Sequence, residues 1–474
     1  MLPALGKLVA TSRMRLLLFV VVFIALFISS LLVSVVVNHA QPAPYMDEIF
    51  HIPQAQSYCS YNFTYWDPKI TTPPGLYLTS LCFALAAKLL AAADLCTPFY
   101  LRCTNILLML GNFCASSAIM IRLSGACDGS TRAKLILASA ATTLLPILHF
   151  FTFLYYTDPG TVLFLQLMYL YSLFEHHWLA ATFGAVAVLY RQTSIVWVFM
   201  VAACKVMAIA DDRWPVEKWL KLENISCTAG QLASNPHKRV REAVDFVRDV
   251  LWDCVGYVIV GAAFVTFLVY NGGIVLGDKS AHQACFHVPQ LGYFLLFSAF
   301  SGAPFFLQPN ILSDFCCSLR RRAYLYAVLV LASVLAVQNF SHIHPYLLAD
   351  NRHLTFYLWR KVLGRSELIR FCLVPACIYA GYAMLHQLRH TSRTWRLFFL
   401  VGMFASVVPQ KLLEFRYFIF PYLFFRLHLK DVGYRQIFLE LVLHVTVNVA
   451  VMHLFLNKTF IWESDPSSVQ RFMW

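Results

Sequence analysis

Long apolar runs separated by short polar segments make up most of this sequence, and that alternation constrains the fold more than any other feature. The runs lie at 16–37, 74–93, 103–121, 135–156, 160–174, 178–204, 254–270, 288–313, 323–340, 371–385, 397–425 and 437–456. Only 13% of the 474 residues are charged, roughly half the share of a water-soluble globule. A helix of about 20 apolar residues crosses a bilayer, so we predict an all-α polytopic membrane protein with about 12–14 membrane helices.

The basic residues predict the orientation of the chain. Lys and Arg number 37 against 24 Asp and Glu, and such an excess usually collects in cytosolic loops. Basic clusters lie at 205–248, 320–322 and 389–396. We therefore expect the loop 205–250 to be cytosolic. Three other segments are then expected on the lumenal face: 38–73, 271–287 and 341–370.

The N-terminal run, 16–37, follows basic residues but is longer than the apolar part of a cleaved signal peptide. We interpret it as a retained signal anchor with its N-terminus in the cytosol. The polar segment after it contains the sequon Asn62-Phe63-Thr64, which fits a lumenal location. No internal repeat or soluble domain is evident, so residues 1–474 are expected to form a single membrane domain.

Two runs deviate from simple spans. The run 74–93 begins at Pro73-Pro74-Gly75, a poor start for a plain span, and a re-entrant or interfacial segment is preferred. The run 178–204 is divided by Arg191-Gln192 into pieces too short for ordinary spans. A discontinuous helix of that kind is tolerated where it lines a cavity.

The sequence contains 14 cysteines. Several lie inside apolar runs, where a thiol behaves as a small hydrophobe, so no disulfide framework is predicted. Cys316-Cys317, beside three arginines, suits palmitoylation at a membrane edge. Packing is the preferred interpretation of that pair.

The first lumenal segment carries the main candidates for chemistry. Asp47 and Glu48 are adjacent carboxylates in a loop with few other acids, which suits a general base or a cation ligand. A solvated loop with two acids is the plainer alternative. Trp66 and Asp67 supply an aromatic face and an acid, which suit either a sugar ring or an interfacial belt.

Charged and histidine side chains recur at two other places. His342, His344, Asp350, Arg352 and His353 lie in the segment 341–370, and Lys411, Glu414 and Arg416 lie inside the apolar run 397–425. Charges in segments this apolar are expensive and seldom lack a role. Glu414 and Arg416 are interpreted either as a structural ion pair or as functional residues. A zinc site at the histidines is not favoured, because no thiolate or HExxH motif accompanies them.

Several longer blocks resemble a known family. They are PYMDEIFHIPQAQ (44–56), WDPKITTPPGLY (66–77), RQT (191–193), NGGIVLGD (271–278), HPYLLADNRHLTFY (344–357), VPQKLLEFRYFIF (408–420), LNKTF (456–460) and QRFMW (470–474). In these blocks the chain resembles the dolichyl-phosphate-glucose α-1,2-glucosyltransferases of the endoplasmic reticulum. These enzymes add the last glucose to the lipid-linked oligosaccharide used for N-glycosylation.

The resemblance implies a type-C glycosyltransferase fold with a lumenal active site, no cofactor and no obligatory metal. It implies dolichyl phosphate glucose as donor, a dolichyl-diphosphate-linked oligosaccharide as acceptor, membrane lipid as a further partner, and no nucleic acid. Asp47 matches the position of the catalytic base, with Glu48 beside it. A leaving phosphate needs one or two cations, and the candidates are Arg191, Arg352, Lys411 and Arg416. The candidate substrate-binding residues are His51, Trp66, Asp67, His344, Asp350, His353 and Glu414.

Two alternatives belong to other functional classes. A transporter or channel would also have intramembrane charges and broken helices. A protein O-mannosyltransferase would keep the fold and change the acceptor. The lack of an inverted repeat and the gathering of polar residues on one predicted face favour the glucosyltransferase over a transporter.

Overall fold

The computed structural model describes residues 2–91, 96–125, 128–213, 236–279 and 284–474. A second sequon, Asn224-Ile225-Ser226, and the middle of the predicted loop 205–250 lie outside the described residues.

The described chain is mainly helical. Its helices are α1 (Leu2–Ala40), α2 (Glu48–Cys59), α3 (Gly75–Ala91), α4 (Pro98–Ser124), α5 (Gly129–Thr143), α6 (Pro146–Phe151), α7 (Asp158–Leu173), α8 (His177–Tyr190), α9 (Ile195–Arg213), α10 (Pro236–Asn271), α11 (Pro289–Ser301), α12 (Ala303–Phe306), α13 (Pro309–Arg321), α14 (Ala323–Asn339), α15 (Pro345–Ala349), α16 (Leu354–Leu358), α17 (Glu367–Cys372), α18 (Val374–Gln387), α19 (Arg393–Val407), α20 (Ile419–Leu427) and α21 (Tyr434–Asn457). Two strands follow, β1 (Thr459–Trp462) and β2 (Asp465–Arg471).

The helices confirm an all-α polytopic membrane protein. Within the described ranges, 6 helices are long and apolar enough to cross a membrane, or 7 if the bent pair α13 and α14 forms one span. This number is smaller than the predicted 12–14, because several apolar runs fold as helices that are too short to cross alone. Proline opens many of them, since its fixed φ suits the first helical turn.

Helix packing leaves broad apolar faces on the outside. α4 packs against α1, α5 and α7, and α21 packs against α5. Large exposed apolar side chains on α1 include Leu16, Leu17 and Leu32. Such a surface suits lipid contact rather than water.

The discontinuous helix predicted at Arg191-Gln192 is confirmed. α8 ends at Tyr190, a short 3-10 turn covers Gln192–Ser194, and α9 begins at Ile195. The Gln192 side chain donates to the carbonyls of Thr71 and Ile274. The break therefore joins the first polar segment to the segment 271–287.

The polar segments 38–73 and 271–287 lie side by side. The Asp278 N–H donates to the Pro68 carbonyl at 2.9 Å. Gly277 has a φ of +60°, and a Cβ atom there would lie 2.3 Å from the same carbonyl. The close approach therefore requires glycine at this position.

The cysteine prediction is wrong at one pair. Cys59 and Cys96 form a disulfide with a Cα–Cα distance of 6.5 Å, and sequence spacing gave no indication of it. The bond joins Cys59, the last residue of α2, to Cys96, which follows α3. The chain after α3 therefore returns to the end of α2. That geometry agrees with the re-entrant or interfacial segment predicted at 74–93.

Three further expectations need correction. Cys316 and Cys317 are exposed, so packing does not explain them. The described ends of the predicted loop 205–250 are helical, because apolar residues at helical spacing in its second half extend α10. The hairpin of β1 and β2 was not predicted, and its strands pair antiparallel, with Phe460 opposite Gln470.

Candidate active site

Asp47 stands where the first polar segment turns into α2. Met46, immediately before it, has a φ of 56°, in the left-handed region that non-glycine residues seldom adopt. The Asp47 N–H donates to the Tyr156 hydroxyl at 3.2 Å. The Asp47 side chain is 45% exposed, so its carboxylate is open to a substrate.

Glu48, the adjacent acid, has a very different environment. Its side chain is 0% exposed and that of Arg102 is 1% exposed, and two hydrogen bonds of 2.9 and 2.6 Å join them. The same carboxylate accepts the N–H groups of Tyr45 and Tyr155 at 3.0 and 2.6 Å. Both oxygens of Glu48 are thus occupied, and within the pair it is Asp47 that presents a free carboxylate face.

Arg416 faces Asp47 from the connection between α19 and α20, where Phe415–Phe418 form a short 3-10 helix. Its Nη1 lies 3.7 Å from an oxygen of Asp47 and 3.8 Å from an oxygen of Asp158, and its Nε donates to Glu414. The first two distances exceed hydrogen-bond length. Charge therefore holds the terminal N–H groups of Arg416 near the two aspartates without engaging them in hydrogen bonds to these acids.

A cavity of about 40 Å³ lies beside Arg416. Asp158, the first residue of α7, lines it and is 2% exposed. One Asp158 oxygen accepts from Arg191 Nη1 at 3.0 Å, while the other has no hydrogen-bond partner among the described residues. Two guanidinium groups and a buried carboxylate therefore converge on one small space.

Mutual attraction keeps these groups charged. Burial alone would lower the pKa of Arg416, but the charges of Glu414, Asp158 and Asp47 raise it well above its usual value. Burial acts to raise the pKa of Glu414, and Arg416 more than offsets this, so that the pKa is lowered. The pKa of His51 is lowered, chiefly by burial, so its imidazole is neutral at pH 7.

His51, Trp66 and Asp67 surround Tyr77 beside the Asp47 site. His51 Nδ1 lies 2.5 Å from the Tyr77 hydroxyl, and the His51 N–H donates to the Asp47 carbonyl at 3.0 Å. The Trp66 ring packs edge-on against Tyr77 with centroids 6.0 Å apart. The charge of Asp67 acts on His51. The structure thus brings these three predicted residues together with Asp47.

Asp350, Arg352 and His353 approach the same site from another side. Arg352 donates to both oxygens of Asp350 at 2.9 and 2.8 Å. Burial favours a higher pKa for Asp350, yet hydrogen bonds from Arg352 lower it. His353 Nε2 lies 3.9 Å from an oxygen of Asp350, and His353 is among the groups that lower the pKa of Glu414.

Two other predicted residues have different settings. His344 is buried, and its Nδ1 accepts the Tyr346 N–H at 3.1 Å, which caps the start of α15. Lys411 is half-buried and forms no ion pair with a described residue. Of the four predicted phosphate ligands, Arg191 and Arg416 share the Asp158 cavity, whereas Arg352 is paired with Asp350.

Sequence reasoning missed Asp158, Tyr156 and Arg102. No role was predicted for Asp158 or Tyr156. Arg102 lies at the edge of an apolar run, where an unpaired cation is costly. That cost was a usable signal that an acid elsewhere must pair with it.

The fold defines a multi-pass membrane protein, in which an exposed acid, a buried acid and two guanidinium groups lie close together. Within the described residues, no three His, Cys, Asp or Glu side chains are grouped so as to hold a metal ion. Residues 41–427 match the DIE2/ALG10 family, and the chain belongs to that family.

Similar proteins span nearly the whole chain. The Dol-P-Glc:Glc(2)Man(9)GlcNAc(2)-PP-Dol alpha-1,2-glucosyltransferase of Rattus norvegicus is 38% identical over 94% of this chain and 97% of its own length. Proteins with the same name from Homo sapiens and Arabidopsis thaliana are each 36% identical, over 94% and 93% of this chain and 97% of their own length. No solved structure gives a significant match.

Proposed function

We propose that this protein is an inverting glucosyltransferase that moves glucose from dolichyl phosphate glucose to the dolichyl-diphosphate-linked oligosaccharide with an α-1,2 bond. Relatives that carry this activity in their names match over almost the entire chain. The observation that carries the mechanism is the open carboxylate of Asp47, 3.7 Å from the Arg416 guanidinium.

In the proposed reaction, Asp47 accepts the proton of the 2-hydroxyl on the terminal glucose of the acceptor. The hydroxyl oxygen forms a bond to C1 of the donor glucose as the bond from C1 to the phosphate oxygen breaks. Dolichyl phosphate leaves with the electron pair of that bond. Arg416 and Arg191 stabilise the charge that develops on the phosphate.

The other predicted residues have supporting parts in this proposal. Glu48 positions the Asp47 loop through Arg102, and Asp158 holds the two guanidinium groups. His51, Trp66, Asp67, His344, Asp350, His353 and Glu414 are proposed to shape the sugar site. Arg352 and Lys411 remain proposed contacts for the donor phosphate.

We further propose that the site faces the lumen of the endoplasmic reticulum and that the helices have a type-C arrangement. Disulfides persist in oxidising compartments, and Cys59, which is bonded to Cys96, lies in the same segment as Asp47. Asn62 of the sequon is exposed. Both features support a lumenal location of this segment.

The test is a transfer assay with purified protein, synthetic short-chain dolichyl phosphate glucose and a lipid-linked acceptor, followed by linkage analysis. Asp47→Asn should lower kcat by roughly 100- to 10,000-fold, the usual contribution of a general base. Asp314→Asn is the matched control, since Asp314 is 54% exposed in its pair with His386 and has no part in the proposed site, so its activity should be unchanged. Near-normal transfer by Asp47→Asn would refute the mechanism.

The same assay separates the alternatives. A protein O-mannosyltransferase would use dolichyl phosphate mannose and a peptide acceptor. A transporter would move a solute across liposomes without forming a glycosidic bond. Neither an O-mannosyltransferase nor a transporter would form an oligosaccharide product with an α-1,2-linked glucose.

A further inference from the structure

The hairpin of β1 and β2, with residues 472–474 after it, contacts both sides of the proposed site. Two family blocks, 456–460 and 470–474, fall in this region and contain none of the proposed chemical groups. Antiparallel pairing brings the blocks together, with Thr459 opposite Arg471. From this position Arg471 contacts both α1 and α21.

The Arg471 guanidinium joins the ends of two membrane helices. Its Nη2 donates to the carbonyl of Ala40, the last residue of α1, at 2.6 Å. Its Nη1 donates to the carbonyls of Phe455 and Leu456 near the end of α21, each at 3.0 Å. Carbonyls at a helix C-terminus lack intrahelical partners and carry partial negative charge, so a cation is well suited to this place.

The backbone of Arg471 also fixes Tyr45, two residues before Asp47. The Tyr45 hydroxyl donates to the Arg471 carbonyl at 2.7 Å and accepts the Arg471 N–H at 2.8 Å. Tyr45 is buried, and its own N–H donates to Glu48. The backbone on both sides of Asp47 is therefore anchored, through Tyr45 to the hairpin and through Glu48 to Arg102.

The hairpin and the residues after it also contact the segment that contains Arg352. The Met473 N–H donates to the Arg352 carbonyl, and the Leu354 N–H donates to the Met473 carbonyl, both at 2.9 Å. The Arg352 guanidinium lies 4.6 Å from the centre of the Trp462 ring. The Trp462 indole N–H donates to the Asn351 side chain at 2.8 Å.

We infer that the hairpin region 459–474 positions the active site, with Arg471 setting the catalytic loop through Tyr45 and Trp462 setting Arg352 for the donor. This inference rests on the proposed glucosyltransferase function. Arg471 and Trp462 act through other residues, so they are positioning residues. Their two links reach different parts of the site, and this separation predicts different kinetic effects.

The experiment measures kcat and the donor KM for full-length variants in the transfer assay. Arg471→Met and Tyr45→Phe should each lower kcat by roughly 10- to 100-fold with little change in donor KM, since small misplacement of a catalytic group costs about this much. Trp462→Leu should instead raise the donor KM roughly 5- to 30-fold through loss of the cation–π contact. Arg471→Lys should recover part of the lost kcat.

Arg393→Met is the matched control. Arg393 is exposed at the start of α19, the end opposite the Arg416 loop, and its loss should change neither parameter. Rates are expressed per folded protein from size-exclusion profiles. If Arg471→Met does not fold, Tyr45→Phe tests the same link with both hydrogen bonds removed and the ring retained.

The outcomes separate this inference from the proposed function. An unchanged kcat in Tyr45→Phe would overturn the positioning role, even if Asp47→Asn is inactive. The same would follow if Tyr45→Phe and Trp462→Leu each lost kcat and donor affinity to an equal extent. Full transfer by Asp47→Asn would instead refute the proposed function. A lower kcat in Tyr45→Phe together with a higher donor KM in Trp462→Leu would support the inference.

Discussion

Loss of the Glu48–Arg102 ion pair is expected to destabilise the protein strongly without removing the Asp47 carboxylate. Arg102 donates five hydrogen bonds, two to Glu48 and three to oxygens within residues 38–43. Glu48 in turn accepts two backbone N–H groups besides those of Arg102. The pair therefore fixes the whole connection between α1 and α2.

The expected size of the effect follows from burial. Both side chains are at most 1% exposed, so Glu48→Gln leaves a buried guanidinium without its counter-ion at a cost of about 3–5 kcal/mol. Arg102→Met leaves a buried carboxylate and should cost a similar amount. The double variant Glu48→Met with Arg102→Met removes both charges. Its loss should be smaller than the sum of the single losses by at least about 2 kcal/mol.

Unfolding in mixed detergent micelles, followed by tryptophan fluorescence, measures these free energies. The control is Glu367→Gln, because Glu367 is 72% exposed in its pair with Arg370, and such pairs contribute at most about 1 kcal/mol. A loss below about 1 kcal/mol for Glu48→Gln, or strict additivity in the double variant, would refute the reasoning.

Three further predictions concern other parts of the molecule. Asp158→Asn should lower kcat/KM by roughly 100-fold because Arg191 and Arg416 lose their shared anchor; steady-state kinetics with unchanged values would contradict this. Replacing both Cys59 and Cys96 by serine should lower the unfolding free energy by about 2–5 kcal/mol, whereas Cys82→Ser should not; equal melting curves would contradict it. Burial lowers the pKa of His287 from 6.5 to about 4, so the unfolded chain binds a proton first and stability should fall between about pH 6.5 and 4. His287→Gln should flatten that slope and the exposed His39 variant His39→Gln should not; an unchanged slope in His287→Gln would contradict it.

The features predicted correctly from sequence are those with a local physical cost. Arg191-Gln192 interrupts an apolar run, and a guanidinium at such a place requires a break in the helix and an acidic partner. The structure provides both, with the 3-10 turn and Asp158. The catalytic role of Asp47 stays a prediction, and the structure adds that its side chain is 45% exposed.

Features that depend on pairing across the chain were not predicted. Glu48 and Arg102 are 54 positions apart, and the Cys59–Cys96 bond spans 37 positions. Many cysteines and several arginines were available as partners, and spacing alone does not choose between them. Tyr45 gave no sequence signal either, because its contact with Arg471 spans 426 positions.

In the proposed reaction, one negative charge is lost from Asp47 and one is gained by the phosphate, so the total charge of the site stays the same. A phosphodiester donor carries one negative charge, and the released dolichyl phosphate carries about two at neutral pH. Asp47 begins ionised and ends protonated, so the gain on the phosphate is balanced by the loss on the carboxylate. Arg416 lies within 4.0 Å of Asp47, and a guanidinium in that position attracts the anion at either end of the transfer. Donors fixed before the reaction need no reorganisation during it, which is the physical reason for Asp158 and Glu414 to hold Arg416 so firmly.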